Sequence, residues 1–322
     1  MFVQDRWRVL TSRALVAGAL ALCGALTLVA QTNERDVYVS VFDKAGTPIT
    51  GLTQDYFAVR EDGKDRAVVR VQPFTGPAHL AVLVDTSSFV ENAVEAYRSA
   101  LAAFIARVAP GNEVAIYEFG ARANLLVPFT HDGALLRDAI DRVSTRVNAV
   151  PRLLDAVDLA CRDLRQAEAR RPIIVAVSIG SADASTKTGG TVVKLLIQNT
   201  VSLHVVAVTS RSTLTAPSLT SSSGRGEVGQ LERLKQVSSV GEGERERTQV
   251  LEQGTSKTAG ALHTVASALA IGPALDRVHA ELQATYRLTY AREGTGKSRD
   301  LQVGLMLQDV VVRAIAAPAA TK

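Results

Sequence analysis

Apolar and polar positions change their period near residue 73. Before it, Val37, Val39 and Val41 alternate with Tyr38, Ser40 and Phe42, a period of two that predicts a strand. Further strand-like runs centre on Tyr56 to Arg60 and Ala67 to Val71, and Asp62-Gly63 between them predicts a hairpin turn. From His79 onward, apolar runs of strand length alternate with helical spacings. Val94, Tyr97, Leu101, Phe104 and Val108 mark a first helix, which Pro110-Gly111 ends. Strands at Glu113 to Phe119 and Leu125 to Phe129 read as a hairpin at one sheet edge, and Leu136, Ile140 and Val143 mark a second helix. Helix Leu153 to Leu164, strand Pro172 to Val177, helix Val192 to Ile197 and strand Leu203 to Val208 follow. A strand at Ala261 to Val265 and a helix carrying Ile271, Leu275, Val278 and Leu282 complete the series. The pattern predicts an α/β fold with a doubly wound, mostly parallel sheet.

Strand-like runs return at Ala284 to Tyr290, Leu301 to Leu307 and Val310 to Ile315. They match the region before residue 73 in character, so the two flanks are expected to pair as a small β module beside the α/β unit. The expected division is 1–30 as signal peptide or membrane anchor, 31–76 as N-terminal β segment, 77–283 as α/β domain and 284–317 as C-terminal β segment. Within the α/β domain, residues 210–248 form a Ser/Thr/Gly stretch followed by Glu242, Glu244, Arg245, Glu246 and Arg247. This reads as a flexible surface excursion, with a short helix at Leu231 to Val237.

The chain has 322 residues and 47% apolar content, which supports a full core. Arg6, Arg8 and Arg13 precede an uncharged run from Ala14 to Ala30, the pattern of an export signal. Cleavage after Ala30 and retention as a membrane anchor through residues 14–30 are both open. The product is expected in the periplasm, in the cell envelope or secreted. Removing that segment takes three arginines and Asp5 with it and brings the net charge from +4 to +2. Near-neutral charge, with no basic stripe interleaved with aromatics, gives no argument for a nucleic-acid partner, and none is expected. Cys161 then remains as the sole cysteine, sharing a helical face with Leu153, Val157, Ala160 and Leu164.

The candidate chemistry lies where the run His79 to Val84 ends in Asp85-Thr86-Ser87-Ser88. In open α/β sheets, ligands bind at the carboxyl ends of the strands. This segment resembles the von Willebrand factor A domain family, whose members hold a divalent cation on Asp-x-Ser-x-Ser, a Thr from a second loop and an Asp from a third. The resemblance extends to the flanks. Val39 to Gly46, Gly51 to Phe57 and Glu61 to Lys64 resemble the segment before the A domain in a bacterial secreted subset of the family, and Thr285 to Tyr290 the strand after it.

The resemblance implies a Rossmann-like fold and an exported, non-enzymatic protein-interaction module of adhesion type. It also implies a degenerate cation site. Asp85 and Ser87 match, but Phe89 stands at the second serine, Pro151 at the threonine and Ile179 at the third-loop aspartate. One carboxylate and one hydroxyl make a poor site for a hard ion, so no cofactor is expected. The alternative is a Mg²⁺ or Mn²⁺ site using Asp85, Ser87 and Asp183. A third reading is an enzyme of unknown class in the same crevice.

Asp85, Ser87 and Ser88 also have a plain reading, as braces of the strand-to-helix loop and caps of the next helix. The binding-surface candidates are Asp85, Ser87, Ser88, Phe89, Pro151, Ile179 and Asp183, with Phe89, Pro151 and Ile179 as an apolar patch for a protein partner. Asp155 and Asp158 read as a solvated rim or a loop brace. Gly224 to Gly229 matches G-x-G-x-x-G but follows no strand directly, so it reads as loop.

Overall fold

The computed structural model describes residues 32–74, 76–209, 241–293 and 300–317. The segment 1–30, residues 210–240 of the excursion, and with them the Gly224 to Gly229 motif and the Leu231 to Val237 helix, lie outside these residues. Among the described residues no helix is long and apolar enough to cross a membrane.

Both flanks build one β module. β1 (Thr32–Asp43), β2 (Phe57–Glu61), β3 (Lys64–Arg66) and β4 (Val68–Pro73) come from the amino-terminal side. β11 (Thr285–Glu293), β12 (Leu301–Leu305) and β13 (Val310–Ala316) come from the other. The strand orders are β13-β1-β11-β4 in one sheet and β12-β2-β3 in a second. Val37, Val39, Val41, Phe57, Val59, Tyr286, Leu288 and Tyr290 are buried together, so the period of two in each strand becomes one shared core. The hairpin differs from the sequence reading. Asp62 and Gly63 both take positive φ, as a tight two-residue turn requires, but the strand returning from it is Lys64–Arg66. The Ala67 to Val71 run belongs to β4, which crosses to the other sheet and pairs with β11. Cross-strand partners, not local pattern, decided that split.

Between the flanks lie β5 (His79–Val84), β6 (Glu113–Phe119), β7 (Ala123–Thr130), β8 (Pro172–Ile179), β9 (Ser202–Val208) and β10 (Leu262–Val265). They form a six-stranded sheet in the order β10-β9-β8-β5-β6-β7, parallel except for the edge strand β7. Helices cover both faces, which is why the central strands are apolar at nearly every position. Along β5, Leu80, Val82 and Val84 face α1 (Val94–Val108), α2 (Gly133–Asp141) and α6 (Ile271–Gln283). Ala81 and Leu83 face α3 (Leu153–Gln166) and α4 (Gly189–Gln198), where Cys161 is buried. Asp132 caps α2 by accepting the Ala134 and Leu135 N–H groups. Residues 241–249, labelled α5, are helical where the sequence reading placed a surface excursion, and the chain turns through Val250–Gly254 toward β10.

The β module sits against the amino ends of the parallel strands. Arg171, just before β8, donates to the Leu282 carbonyl and to Thr285 Oγ1 at 3.0 Å, and lies 5.1 Å over the Phe74 ring. Glu281, near the end of α6, receives His204 at 3.4 Å, His263 at 3.3 Å and Arg313 of β13 at 3.2 Å. The opposite, carboxyl end of the sheet is left to its loops.

Candidate functional site at the carboxyl end of the sheet

β5 delivers Asp85 to this end fully buried. Its carboxylate points inward, not into solvent. Oδ1 accepts the Ser87 N–H at 2.9 Å, and Oδ2 accepts the Ile179 N–H at 3.0 Å, joining the first loop to the third. The Asp85 N–H donates to the Tyr97 hydroxyl at 2.6 Å, and that hydroxyl donates to the Val177 carbonyl at 3.1 Å. Burial raises the Asp85 carboxyl to about 6, against the lowering effect of those N–H donors and of Arg247.

Asp183 performs a similar task for the second loop. Its Oδ2 accepts the Leu153 N–H, the first turn of α3, at 2.9 Å, and its Oδ1 accepts the Ser185 N–H at 2.7 Å. Burial pushes this carboxyl up as well, opposed by the same bonds. Asp155 accepts the Thr186 and Lys187 N–H groups at 2.9 and 3.1 Å, so it is a loop brace. Next to the crevice, Glu118 is buried and accepts Arg146 at 2.6 Å and Asn124 at 3.0 Å.

A cation from outside the three loops lies beside the crevice. Arg247 lies on α5 and is only 4% exposed. Its Nη2 donates to Ser178 Oγ at 3.1 Å, and its charge acts on Asp183 and Asp85. Burial lowers its guanidinium from the ordinary value while both aspartates raise it. The sequence pattern puts Arg247 in the flexible surface excursion at 210–248. The missed signal is its spacing: Arg247, Val250, Leu251 and Gly254 fall at i, i+3, i+4 and i+7, and all four are buried.

Several expectations for the binding surface change. Ile179 is 3% exposed and belongs to the core cluster on the α1 face, because it is the last inward residue of β8. Pro151 is buried, and its carbonyl accepts the Ala184 N–H at 2.8 Å. Phe89 is half-buried, its ring so close to Gly180 that a Cβ there would meet it at 3.1 Å. These three therefore pack the loops together and leave no open apolar patch. Ser88 is half-buried and donates its hydroxyl to the Ala149 carbonyl at 3.2 Å. The Ser87 hydroxyl caps nothing, and among the described residues it and Arg247 Nε are buried without a hydrogen-bond partner of good geometry, the hydroxyl lying close enough to Asp85 to help lower its carboxyl. The exposed apolar groups at this end are ones the sequence did not single out: Val147, 83% exposed, and Val150 on the same loop.

A divalent ion fits this donor set poorly. It requires about six oxygens in a near-octahedral array. Both Asp85 oxygens already accept N–H groups, Asp183 is turned toward α3, and Phe89, Pro151 and Ile179 bring no oxygen-bearing side chain. Among the described residues no group of three or more His, Cys, Asp or Glu side chains is arranged to hold a metal.

Residues 80–181 match the model of the von Willebrand factor type A domain. No curated protein matches the chain. Among solved structures, the chain is similar to the SpRpn10 VWA domain at 14% identity and a TM-score of 0.42, covering 62% of this chain and 95% of that one. Similarity to BatB from Bacteroides thetaiotaomicron is 14% identity with a TM-score of 0.45, over 64% of this chain and 99% of the other. Proximal thread matrix protein 1 from the mussel byssus, with a zinc-occupied MIDAS motif, is 15% identical with a TM-score of 0.47. That comparison covers 68% of this chain and 48% of that one, so the chain spans about half its length. The matched segment runs from β5 through β8, the strands that deliver Asp85 and Ile179 to the crevice, so it is this part of the α/β unit that is similar to the von Willebrand factor type A domain.

Proposed function

We propose that the chain is an exported, non-enzymatic protein-interaction module that binds a protein partner through the loops at the carboxyl end of its sheet, without a divalent cation. The observation that carries this reading is the inward turn of the crevice. Asp85 and Asp183 spend their oxygens on backbone N–H groups, while the adjoining loop holds Val147 and Val150 out to solvent. General acid-base catalysis needs a titrating group within reach of a substrate, and neither carboxylate offers a free face for it. Similarity to the von Willebrand factor type A domain over residues 80–181 supports the interaction reading, and the uncharged run after Arg6, Arg8 and Arg13 supports export.

One feature favours a second reading, a Mg²⁺- or Mn²⁺-dependent adhesion site on Asp85, Ser87 and Asp183. It is the buried Ser87 hydroxyl, which among the described residues makes no hydrogen bond of good geometry. Cross-linked capture from the envelope of the source cell, followed by binding of the identified partner to the purified chain, separates the two. Binding is expected to be unchanged by EDTA and at least about tenfold weaker in a Val147→Asp/Val150→Asp variant, the scale of a lost apolar anchor. Binding abolished by EDTA and restored by Mg²⁺ would establish the second reading instead.

A further inference from the structure

We propose that the Arg247 guanidinium is the resident cation of the Asp85–Asp183 crevice, standing in for a divalent ion and clamping α5 across the carboxyl end of β8. The inference deepens the metal-independent reading above and rests on it for its functional meaning.

The physical problem is two carboxylates buried at one end of the sheet, Asp85 with no exposure and Asp183 with 6%. Buried charge is costly unless it is paired. A metal would need ligands that Phe89, Pro151 and Ile179 do not supply. A guanidinium needs no coordination shell, stays charged under all ordinary conditions and carries donors in a planar fork. Arg247 brings that charge on a helix, acting first on Asp183 and then on Asp85. Its anchor, Ser178, immediately precedes Ile179, whose N–H binds Asp85. One cation thus addresses two of the three loops.

The backbone is shaped for this approach. A Cβ on Gly243 of α5 would lie 2.0 Å from the Asp183 carbonyl oxygen, and a Cβ on Gly189 would lie 2.6 Å from the Glu246 carbonyl oxygen. Both contacts are closer than any side chain tolerates, so α5 reaches the crevice only because both positions are glycine. The Glu246 carboxylate also accepts the Gly189 N–H at the start of α4. Neighbouring Glu244 adds further negative charge around Arg247. Helix, loop and cation form one assembly, and the apolar residues at Phe89, Pro151 and Ile179 fill the remainder.

A double-mutant cycle on the full chain tests this by thermal unfolding, with no partner present. Arg247→Met is expected to lower Tm by on the order of 10 °C, the effect of leaving a buried carboxylate unpaired. Adding Asp183→Asn is expected to recover part of that loss, so that the double variant is more stable than the sum of the single losses. Strict additivity would overturn the proposal, because a merely packed arginine stem does not couple to a charge. Arg247→Lys is the second variant and is expected to retain more than half of what Arg247→Met loses. Should Arg247→Met not fold, a folded Arg247→Lys supports the proposal, and an unfolded one overturns it. In calorimetric titration with Mn²⁺ the wild-type chain is expected to show no saturable uptake. One-to-one uptake lost in Asp85→Ala would overturn the assignment. Because these readouts involve no partner, they can fail or succeed separately from the interaction reading.

Discussion

The two ends of one parallel sheet hold buried carboxylates in opposite electrostatic states. At the carboxyl end, Asp85 is surrounded by backbone N–H donors and faces one guanidinium, and burial dominates, raising its carboxyl to about 6. At the amino end, burial also pushes Glu281 up, but His204, His263 and Arg313 more than offset it and hold the carboxyl well below the usual range. The difference teaches that burial alone does not set the sign. The groups facing the carboxylate do, and at the amino end two imidazoles and the Arg313 guanidinium converge on it from β9, β10 and β13. That end holds the two parts of the molecule together, whereas the carboxyl end keeps its charge at a cost.

Glu281→Gln should have the largest effect. Removing one member of a buried charged group costs roughly 3–5 kcal/mol, and Arg313 would lose its partner across the junction between the units. The folded pKa of Glu281 lies below its unfolded value, so its contribution is complete above the unfolded pKa and is lost as pH falls toward the folded one. The gap between wild type and variant in urea unfolding should therefore be widest near pH 7 and narrow below about pH 4.5, the ordinary carboxylate range. A gap independent of pH would show that Glu281 contributes through packing alone.

Asp85 should behave with the opposite sign. Its folded pKa, about 6, exceeds the ordinary aspartate value of 3.8, so its favourable contribution is complete below 3.8 and is lost as pH rises through 6. The shift corresponds to roughly 3 kcal/mol of stability forgone at neutral pH. A carboxyl NMR titration should place the Asp85 midpoint near 6 and higher still in Arg247→Met, since the guanidinium lowers it. A midpoint near 4 would remove the contrast between the two ends.

Tyr97→Phe should be next in size. It deletes a buried hydroxyl that accepts the Asp85 N–H and donates to the Val177 carbonyl, at a cost of about 1–3 kcal/mol by denaturant unfolding. An unchanged midpoint would mean that the loop finds other partners. Val147→Ser should be smallest, within about 0.5 kcal/mol, because the side chain is exposed. A large loss of stability there would show that Val147 is structural and does not belong to a recognition loop.

Much of the fold was legible because its signals are local. The run His79 to Val84, the helical spacing from Val94 to Val108 and the buried run from Pro172 each declare their own element. Even the pairing of the flanks could be read from matched periodicity, and β1 does lie between β11 and β13. The strand after Asp62-Gly63 was misplaced because Lys64–Arg66 is polar and three residues long, too short for a period to register. The crevice was harder to read. Asp85 stood out through its place after an apolar strand, and Phe89, Pro151 and Ile179 through what they replace, but their burial depends on loops meeting in space.

The sequence by itself determined the alternation of strands and helices, the place of Asp85 at a strand end and the side chains without oxygen at positions 89, 151 and 179, because each depends on residue type and near-neighbour spacing. Tertiary structure alone decided that Arg247 is buried against Ser178, within electrostatic reach of Asp183 and Asp85, and that Glu281 gathers two histidines and an arginine. Charge compensation acts through space across long stretches of chain, so no local pattern encodes it. It becomes visible only when packing has brought the charges together and excluded water from between them.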